Sequence, residues 1–277
     1  MKSHPPFSVL MSMYIKEKAS HFRTCMESVL NQTVKPDEIV IVLDGPVSSE
    51  VEEVLNRYIR ENEGLIKTIA YTPNRGLGYA LGIGVEACSN ELIARMDTDD
   101  IARQDRFEKQ LMAFQNDPEL DIFGSQIDEF EDTPETIIAQ RIVPVTDSEI
   151  KAYQKRRDAF NHMTVMYKRS AVLKAGNYQP CPMMEDTYLW VRMILSGAKC
   201  ANSSESLVYA RIGEGMFERR GGWKYFLKYK EGRKKVLETG YIGRQDYFFT
   251  LAVQLMVSLM PKTIRGLVFK KLLHSAS

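Results

Sequence analysis

Glu38-Ile39-Val40-Ile41-Val42-Leu43-Asp44-Gly45-Pro46 is the stretch that decides the fold. Five consecutive apolar residues, four of them β-branched, make a strand buried on both faces. Such strands belong to parallel sheets covered by helices. The run stops at Asp44-Gly45-Pro46, which is turn chemistry. Working outward, Phe7 to Met11 is a short apolar run. Ala19 to Leu30 carries Phe22, Met26, Val29 and Leu30 on one helical face. Val51 to Ile59 reads as a helix and Ile66 to Tyr71 as a strand. Gly76 to Cys88 is a small-residue helix, and Leu92 to Met96 a second buried strand. This β-α-β-α order predicts an α/β fold, a mostly parallel sheet flanked by helices. In such sheets ligands sit beyond the carboxyl ends of the strands.

The second half is less regular. Asp105 to Gln115 and Asp186 to Leu195 read as helices. Ile122 to Ser125, Met163 to Tyr167 and Leu207 to Arg211 read as strands. Asp128 to Gln140, acidic and carrying Pro134, reads as an exposed excursion. After Gly222 the chain turns helical and basic. Of its 277 residues, 37 are Lys or Arg and 36 are Asp or Glu, a net charge of +1 that leaves no global nucleic-acid footprint. The distribution is uneven. Residues 219–277 hold 13 basic and 3 acidic side chains, so residues 1–218 hold the remaining 24 and 33. This divides the chain into an acidic body, 1–218, and a helical basic segment, 219–277, that should meet something anionic. Cys25, Cys88, Cys181 and Cys200 form no CxxC pair and no cluster with histidine, which favours a reducing compartment. With no signal peptide legible and no apolar run of the ~20 residues that a spanning helix needs, the body is expected in the cytoplasm.

Four groups of residues could carry chemistry. Arg95-Met96-Asp97-Thr98-Asp99-Asp100 places three carboxylates in four residues directly after a strand. They repel one another unless a cation compensates, and Mg²⁺ or Mn²⁺ shared with substrate phosphates would do so. An acidic turn capping the next helix is the plainer alternative. Asp44, closing the strongest strand, could accept hydrogen bonds from a base or ribose, or simply make the turn. Asn74-Arg75-Gly76-Leu77-Gly78 opens a helix after a strand, where a phosphate is favoured, although no complete GxGxxG or Walker pattern is present. Glu185-Asp186 starts another helix, as a cap or as a catalytic base.

In their order along the chain these elements resemble family 2 glycosyltransferases. The resemblance rests on Ser8 to Tyr14, Ser28-Val29-Leu30-Asn31-Gln32, Asp44, Asn74-Arg75-Gly76, Asp97-Thr98-Asp99-Asp100 and Glu185-Asp186. It implies an inverting enzyme of the GT-A fold, similar to bacterial enzymes of exopolysaccharide and O-antigen assembly of the amylovoran-biosynthesis type. The donor would be a UDP-sugar, with galactose first and glucose next. The acceptor would be a saccharide carried on a polyprenyl diphosphate. The resemblance further implies that Asp44 holds the uracil, Asp97 the ribose side, and Asp99 the Mn²⁺ or Mg²⁺. Asp186 would be the general base, with Glu185 beside it shaping the acceptor site. Arg75 and Arg95 would contact the donor. Ser12 and Tyr14 would line the nucleotide pocket, although Ser12 and Ile15 stand where the family has proline and asparagine.

Arg219-Arg220-Gly221-Gly222 begins the basic segment, and its arginines could clamp a diphosphate bidentately or mark a solvated hinge. Tyr247 to Met260 is apolar but too short to span. Beyond Pro261, Lys262, Arg265, Lys270 and Lys271 interleave with Ile264, Leu267, Val268, Phe269, Leu272 and Leu273. That is a basic amphipathic helix, suited to the inner face of the cytoplasmic membrane. Its apolar part could equally pack on the core or on the second subunit of a homodimer. Two further readings stay open: a sugar-1-phosphate nucleotidyltransferase, whose glycine- and arginine-rich loop Phe7 to Lys18 lacks, and a non-catalytic membrane-surface protein.

Overall fold

The computed structural model describes residues 4–213 and 221–261. Among them are strands β1 (Phe7–Met13), β2 (Glu38–Asp44), β3 (Ile66–Tyr71), β4 (Leu92–Arg95), β5 (Ile101–Ala102), β6 (Leu120–Phe130), β7 (Ile137–Arg141), β8 (Met166–Lys168) and β9 (Lys199–Arg211). The helices are α1 (Ala19–Leu30), α2 (Ser49–Glu61), α3 (Leu77–Ala87), α4 (Arg106–Asn116), α5 (Asp147–Tyr153), α6 (Arg169–Lys174), α7 (Glu185–Leu195), α8 (Trp223–Glu238) and α9 (Arg244–Leu259).

The strands form one mixed sheet in the order β3-β2-β1-β4-β8-β6-β9-β5, with β7 paired to β6. β3, β2, β1 and β4 are mutually parallel, and β8 runs antiparallel between β4 and β6. The unbroken apolar run of β2 has its cause in the layers on either side. Ile39 and Ile41 pack with Phe22, Met26, Val51 and Leu55 of α1 and α2. Val40 and Val42 face the other way, onto Ala80, Leu81 and Val85 of α3. A strand wedged between two helical layers has no solvent face on which to spend polar residues. α3 approaches closely because it is built of small residues: a Cβ at Gly84 would lie 2.3 Å from Leu10 Cδ1.

The expected exposed excursion over Asp128 to Gln140 is corrected. Asp128, Glu129 and Phe130 are buried at the end of β6, and β7 pairs with them. The exposed part is the connecting turn, at Glu131 to Thr133 and at Glu135 and Thr136, together with Ile137 and Ile138 at the start of β7. Burial of Asp128 is tolerated because Arg103 and Gln140 donate to its two carboxylate oxygens at 2.8 and 2.6 Å. Ile122 to Ser125 and Leu207 to Arg211 are parts of the longer β6 and β9, which pair in parallel over most of their length. Met163 belongs to a 3₁₀ turn, His162–Thr164, ahead of β8.

α8 and α9 form a hairpin docked on α7 through Val191, Val236, Ile242 and Tyr247. Gly222 N–H donates to the Ser258 carbonyl at 2.9 Å, which closes the hairpin's open end. Arg156 pairs with Asp246 at 2.6 Å and stacks on Phe249 at 4.7 Å. All four cysteines are buried and free. No helix among the described residues is long and apolar enough to cross a membrane.

Candidate active site

Because β2, β1 and β4 are adjacent and parallel, their carboxyl ends open on one edge of the sheet. A cleft of about 430 Å³ lies there. Ser12 and Tyr14 enter it from the end of β1, Asp44 from β2, and Asp97 and Asp99 from the turn after β4. Gly76 and Leu77, at the start of α3, complete one wall. Five of the residues singled out from sequence therefore share a single cleft.

Asp44 is buried, and its carboxylate is the fastening point of the loop before α3. Oδ1 accepts from the Tyr71 hydroxyl at 2.9 Å and from Arg75 N–H at 2.7 Å. Oδ2 accepts from the Asn74 side chain and from Gly76 N–H, both at 2.9 Å. A carboxylate has about four lone-pair sites, and all four are in use. Gly76 has φ 91°, a backbone state that disfavours any side chain, and this conformation accompanies the two successive N–H groups aimed at one carboxylate. Two donors expected to face a phosphate thus face Asp44. The Arg75 side chain stacks on Tyr79 at 3.5 Å and lies outside the lining of the cleft.

The acidic turn after β4 is held from below. Arg95 is 2 % exposed and makes a bidentate pair with Asp97, at 2.7 and 2.5 Å. Burial, the largest single influence, would lower its pKa, but the Asp97 charge and hydrogen bonds together with Tyr178 and Asp100 outweigh it and the net shift is upward. Arg95, expected to contact the donor, is not among the residues lining the cleft, and its guanidinium is paired with Asp97. Asp97, Asp99 and Asp100 each present an oxygen within 4.8 Å of the others. Burial, and then repulsion from Asp97, raises the Asp99 pKa to about 6. Burial and the same two neighbours push Asp100 well up. Asp100 Oδ1 accepts from Arg211 N–H at 2.7 Å, while its buried Oδ2 has no partner. An orphaned buried carboxylate oxygen among hard oxygen donors fits a divalent cation.

Glu185 and Asp186 begin α7, and α7 meets α3 where Gly78 leaves room: a Cβ there would lie 3.0 Å from Glu185 Cβ. This close approach sets the acidic pair against α3, next to the residues that start it, although neither carboxylate is part of the cleft's lining. Asp186 Oδ1 accepts from Thr187 N–H at 2.7 Å, and Oδ2 lies 3.8 Å from His162 Nδ1. Burial, then the Asp158 and Glu185 charges, raise Asp186 to about 7. His162 is driven far below its usual range by burial and by Arg95, so its imidazole is neutral, with Nε2 2.8 Å from the Tyr178 hydroxyl. The charge of Arg95 acts on Asp97, Asp99 and Asp100 and also on Glu185 and Asp186. One buried cation thereby serves both acidic groups.

Arg219 and Arg220 lie outside the described residues. Two residues escaped the sequence reading. Glu17 lines the cleft, accepts a hydrogen bond from Thr98, and has its pKa raised by burial. Arg211 ties β9 to the acidic turn, its Nε donating to the Asp99 carbonyl at 3.1 Å. Neither carries a local signal, since each reaches the site only through tertiary contact.

A carboxylate cluster at the strand ends of such a sheet, beside a cleft and an acidic helix start, defines an enzyme of the GT-A type. The family model for Glycosyl transferase family 2 matches residues 8–176, more than half of the chain, and the protein belongs to that family. It is a glycosyltransferase. Amylovoran biosynthesis glycosyltransferase AmsE of Erwinia amylovora is 35% identical over 268 residues, covering 96% of this chain and 98% of that protein. An Escherichia coli UDP-Gal:alpha-D-GlcNAc-diphosphoundecaprenol beta-1,3-galactosyltransferase is 34% identical over 270 residues, covering 98% and 97%. Among solved structures, the mannosyltransferase PcManGT from Pyrobaculum calidifontis, in complex with GDP-Man and Mn²⁺, superposes with a TM-score of 0.63 at 13% identity, covering 99% of this chain and 77% of that one. S. aureus TarS 1-349 in complex with UDP gives 0.61 at 15%, covering 94% and 68%. These two likenesses establish the shared fold.

Proposed function

We propose that this enzyme transfers galactose, with inversion, from UDP-galactose to a hydroxyl of a polyprenyl-diphosphate-linked saccharide during surface polysaccharide assembly. The observation that carries the reading is the meeting of the Asp97-Asp99-Asp100 cluster with the Asp44 loop in one cleft at the sheet's carboxyl edge. The full-length similarity to a galactosyltransferase that acts on a lipid-linked sugar supports the choice of donor and acceptor. Asp99, with the orphaned oxygen of Asp100, would hold Mn²⁺ or Mg²⁺, which when bound offsets the charge of the diphosphate. Asp44 would meet the uracil edge after releasing a present partner, and Asp97 the ribose side. Asp186 takes the proton of the acceptor hydroxyl as its oxygen forms the bond to the anomeric carbon. The bond to the diphosphate oxygen breaks, and its electron pair leaves with UDP. Glu185 shapes the acceptor side. Arg219 and Arg220 would close on the diphosphate. Such an acceptor sets the work at the inner face of the cytoplasmic membrane.

Incubating the protein with Mn²⁺ and a panel of UDP-sugars, with and without a GlcNAc-diphosphate-lipid acceptor, tests the reading. UDP-galactose should give the fastest acceptor-dependent release of UDP and a β-linked product. A faster reaction with UDP-glucose would move the donor, and an α-linked product would refute inversion.

A further inference from the structure

α9 packs inward through Tyr247 and Leu251, yet most of its large apolar side chains face outward. The side chains it turns toward the protein include Thr250 and Ser258, both buried, and Gln254 donates to the Ser258 hydroxyl at 3.0 Å. Its outward face, at positions spaced three and four apart, is Phe248, Phe249, Ala252, Val253, Met256 and Leu259. Phe248 and Leu259 are each 64% exposed. A surface helix of a globular protein buries its apolar stripe and wets its polar one, so this face is built for a cover that is not water. The start of α8 continues the patch. Gly222 is bonded to Ser258, which sets Trp223 and Leu227, both exposed, at the α9 end that carries Met256 and Leu259. Trp223 to Lys230 also presents Lys224, Lys228 and Lys230 to solvent and contains no acid.

We infer that the outward face of the α8–α9 hairpin is a docking surface for an anionic lipid bilayer. Aromatic and aliphatic side chains would enter the interfacial layer while the three lysines meet headgroup phosphates. Charge decides against a second copy of this chain: a symmetric pairing over this face would bring the lysines of each copy into the same contact, where like charges repel. The chain that follows α9 points the same way in its composition, with Lys262, Arg265, Lys270 and Lys271 set among apolar residues. The inference deepens the proposed reaction, because a lipid-linked acceptor would be met at that surface. Its test uses neither donor nor acceptor, so failure of the one leaves the other standing.

The chain has two tryptophans, Trp190 at 1% exposure and Trp223 at 57%, so a change in emission on binding at this face reports Trp223. Full-length protein is mixed with phosphatidylglycerol-containing or pure phosphatidylcholine vesicles at low and at high salt. Co-sedimentation and tryptophan emission are then measured. With the anionic vesicles we expect sedimentation, a blue shift, and quenching by lipids brominated on the acyl chains, all weakened by salt. The variant Phe248→Ser/Phe249→Ser/Met256→Ser, its fold checked by circular dichroism, should bind at least about tenfold more weakly. Unchanged binding by that variant, or binding without quenching of Trp223, would place docking elsewhere and overturn the inference. So would failure to bind anionic vesicles at low salt, including the case in which light scattering shows a dimer that the variant abolishes. The quenching measurement needs no mutation and decides the question if the variant does not fold.

Discussion

At the scale of single residues, the site works by placing carboxylates where their charges are costly and then holding them there. Asp186 is the sharpest case. Its unfolded pKa is near 3.8 and its folded value about 7, so the folded state takes up the proton more readily. The stability this contributes is present at low pH and is lost as pH climbs from about 4 through about 7. Asp186→Asn should therefore melt above the wild type at pH 8 and converge with it near pH 4, as calorimetric melts at the two values would show. The same variant should lose ~10²–10⁴-fold in turnover while still binding UDP, because only the base is removed. Near-normal turnover would move the base, with Glu185 next. Arg95 acts through others. Arg95→Met strands Asp97 beside Asp99 and Asp100, and breaking a buried pair costs about 3–5 kcal/mol when both partners are enclosed. The Asp97 side chain is 31% exposed, so the lower end, about 3 kcal/mol, is expected in urea melts. Asp44, Asp97, Asp99 and Asp100 were legible because they end or follow strands, and Glu185 and Asp186 because they start a helix. The burial of Arg95 and its pairing with Asp97 were not legible, because sequence does not show which way its side chain turns.

At the scale of elements, close packing is what aims the site. α3 lies against β1 and β2 through Gly84, and against the start of α7 through Gly78. Gly84→Ala would force the Leu10 side chain to move and should destabilise the protein by about 1–3 kcal/mol, read from urea unfolding, with UDP affinity falling alongside. Asp44→Ala removes the acceptor of two backbone N–H groups and two side chains. It should loosen the loop before α3, raising the donor KM more than it lowers kcat. A change confined to kcat would contradict the assigned fastening role. The first half of the fold was legible because each element carries its own periodicity: the predicted ranges of α1 and β3 match the structure end to end. The β6–β7 hairpin was not. Its acidic residues look solvated until Arg103, outside the hairpin, is seen pairing with Asp128 while Gln140 donates to it across the hairpin.

At the scale of the whole molecule, one sheet edge gathers an acidic cluster, a nucleotide-sized cleft and a candidate base, and a helical hairpin with an apolar outer face is docked on α7. Composition foretold a basic end to the chain. It could not foretell that α9 leaves Phe248, Phe249, Met256 and Leu259 exposed, since periodicity gives a stripe and not its direction. Metal and proton compete for the cluster. Because Asp99 titrates near 6 in the free enzyme, the rise in melting temperature on adding Mn²⁺ should be small at pH 5 and grow as pH passes about 6. The central claim, a metal-dependent nucleotide site at Asp97, Asp99 and Asp100, is tested most directly by titrating UDP into the wild type and into Asp99→Ala, each with Mn²⁺ and with EDTA. The account predicts tight, Mn²⁺-dependent binding to the wild type and weak binding to the variant that Mn²⁺ no longer improves. Equal Mn²⁺-dependent affinity for UDP in both proteins would contradict it.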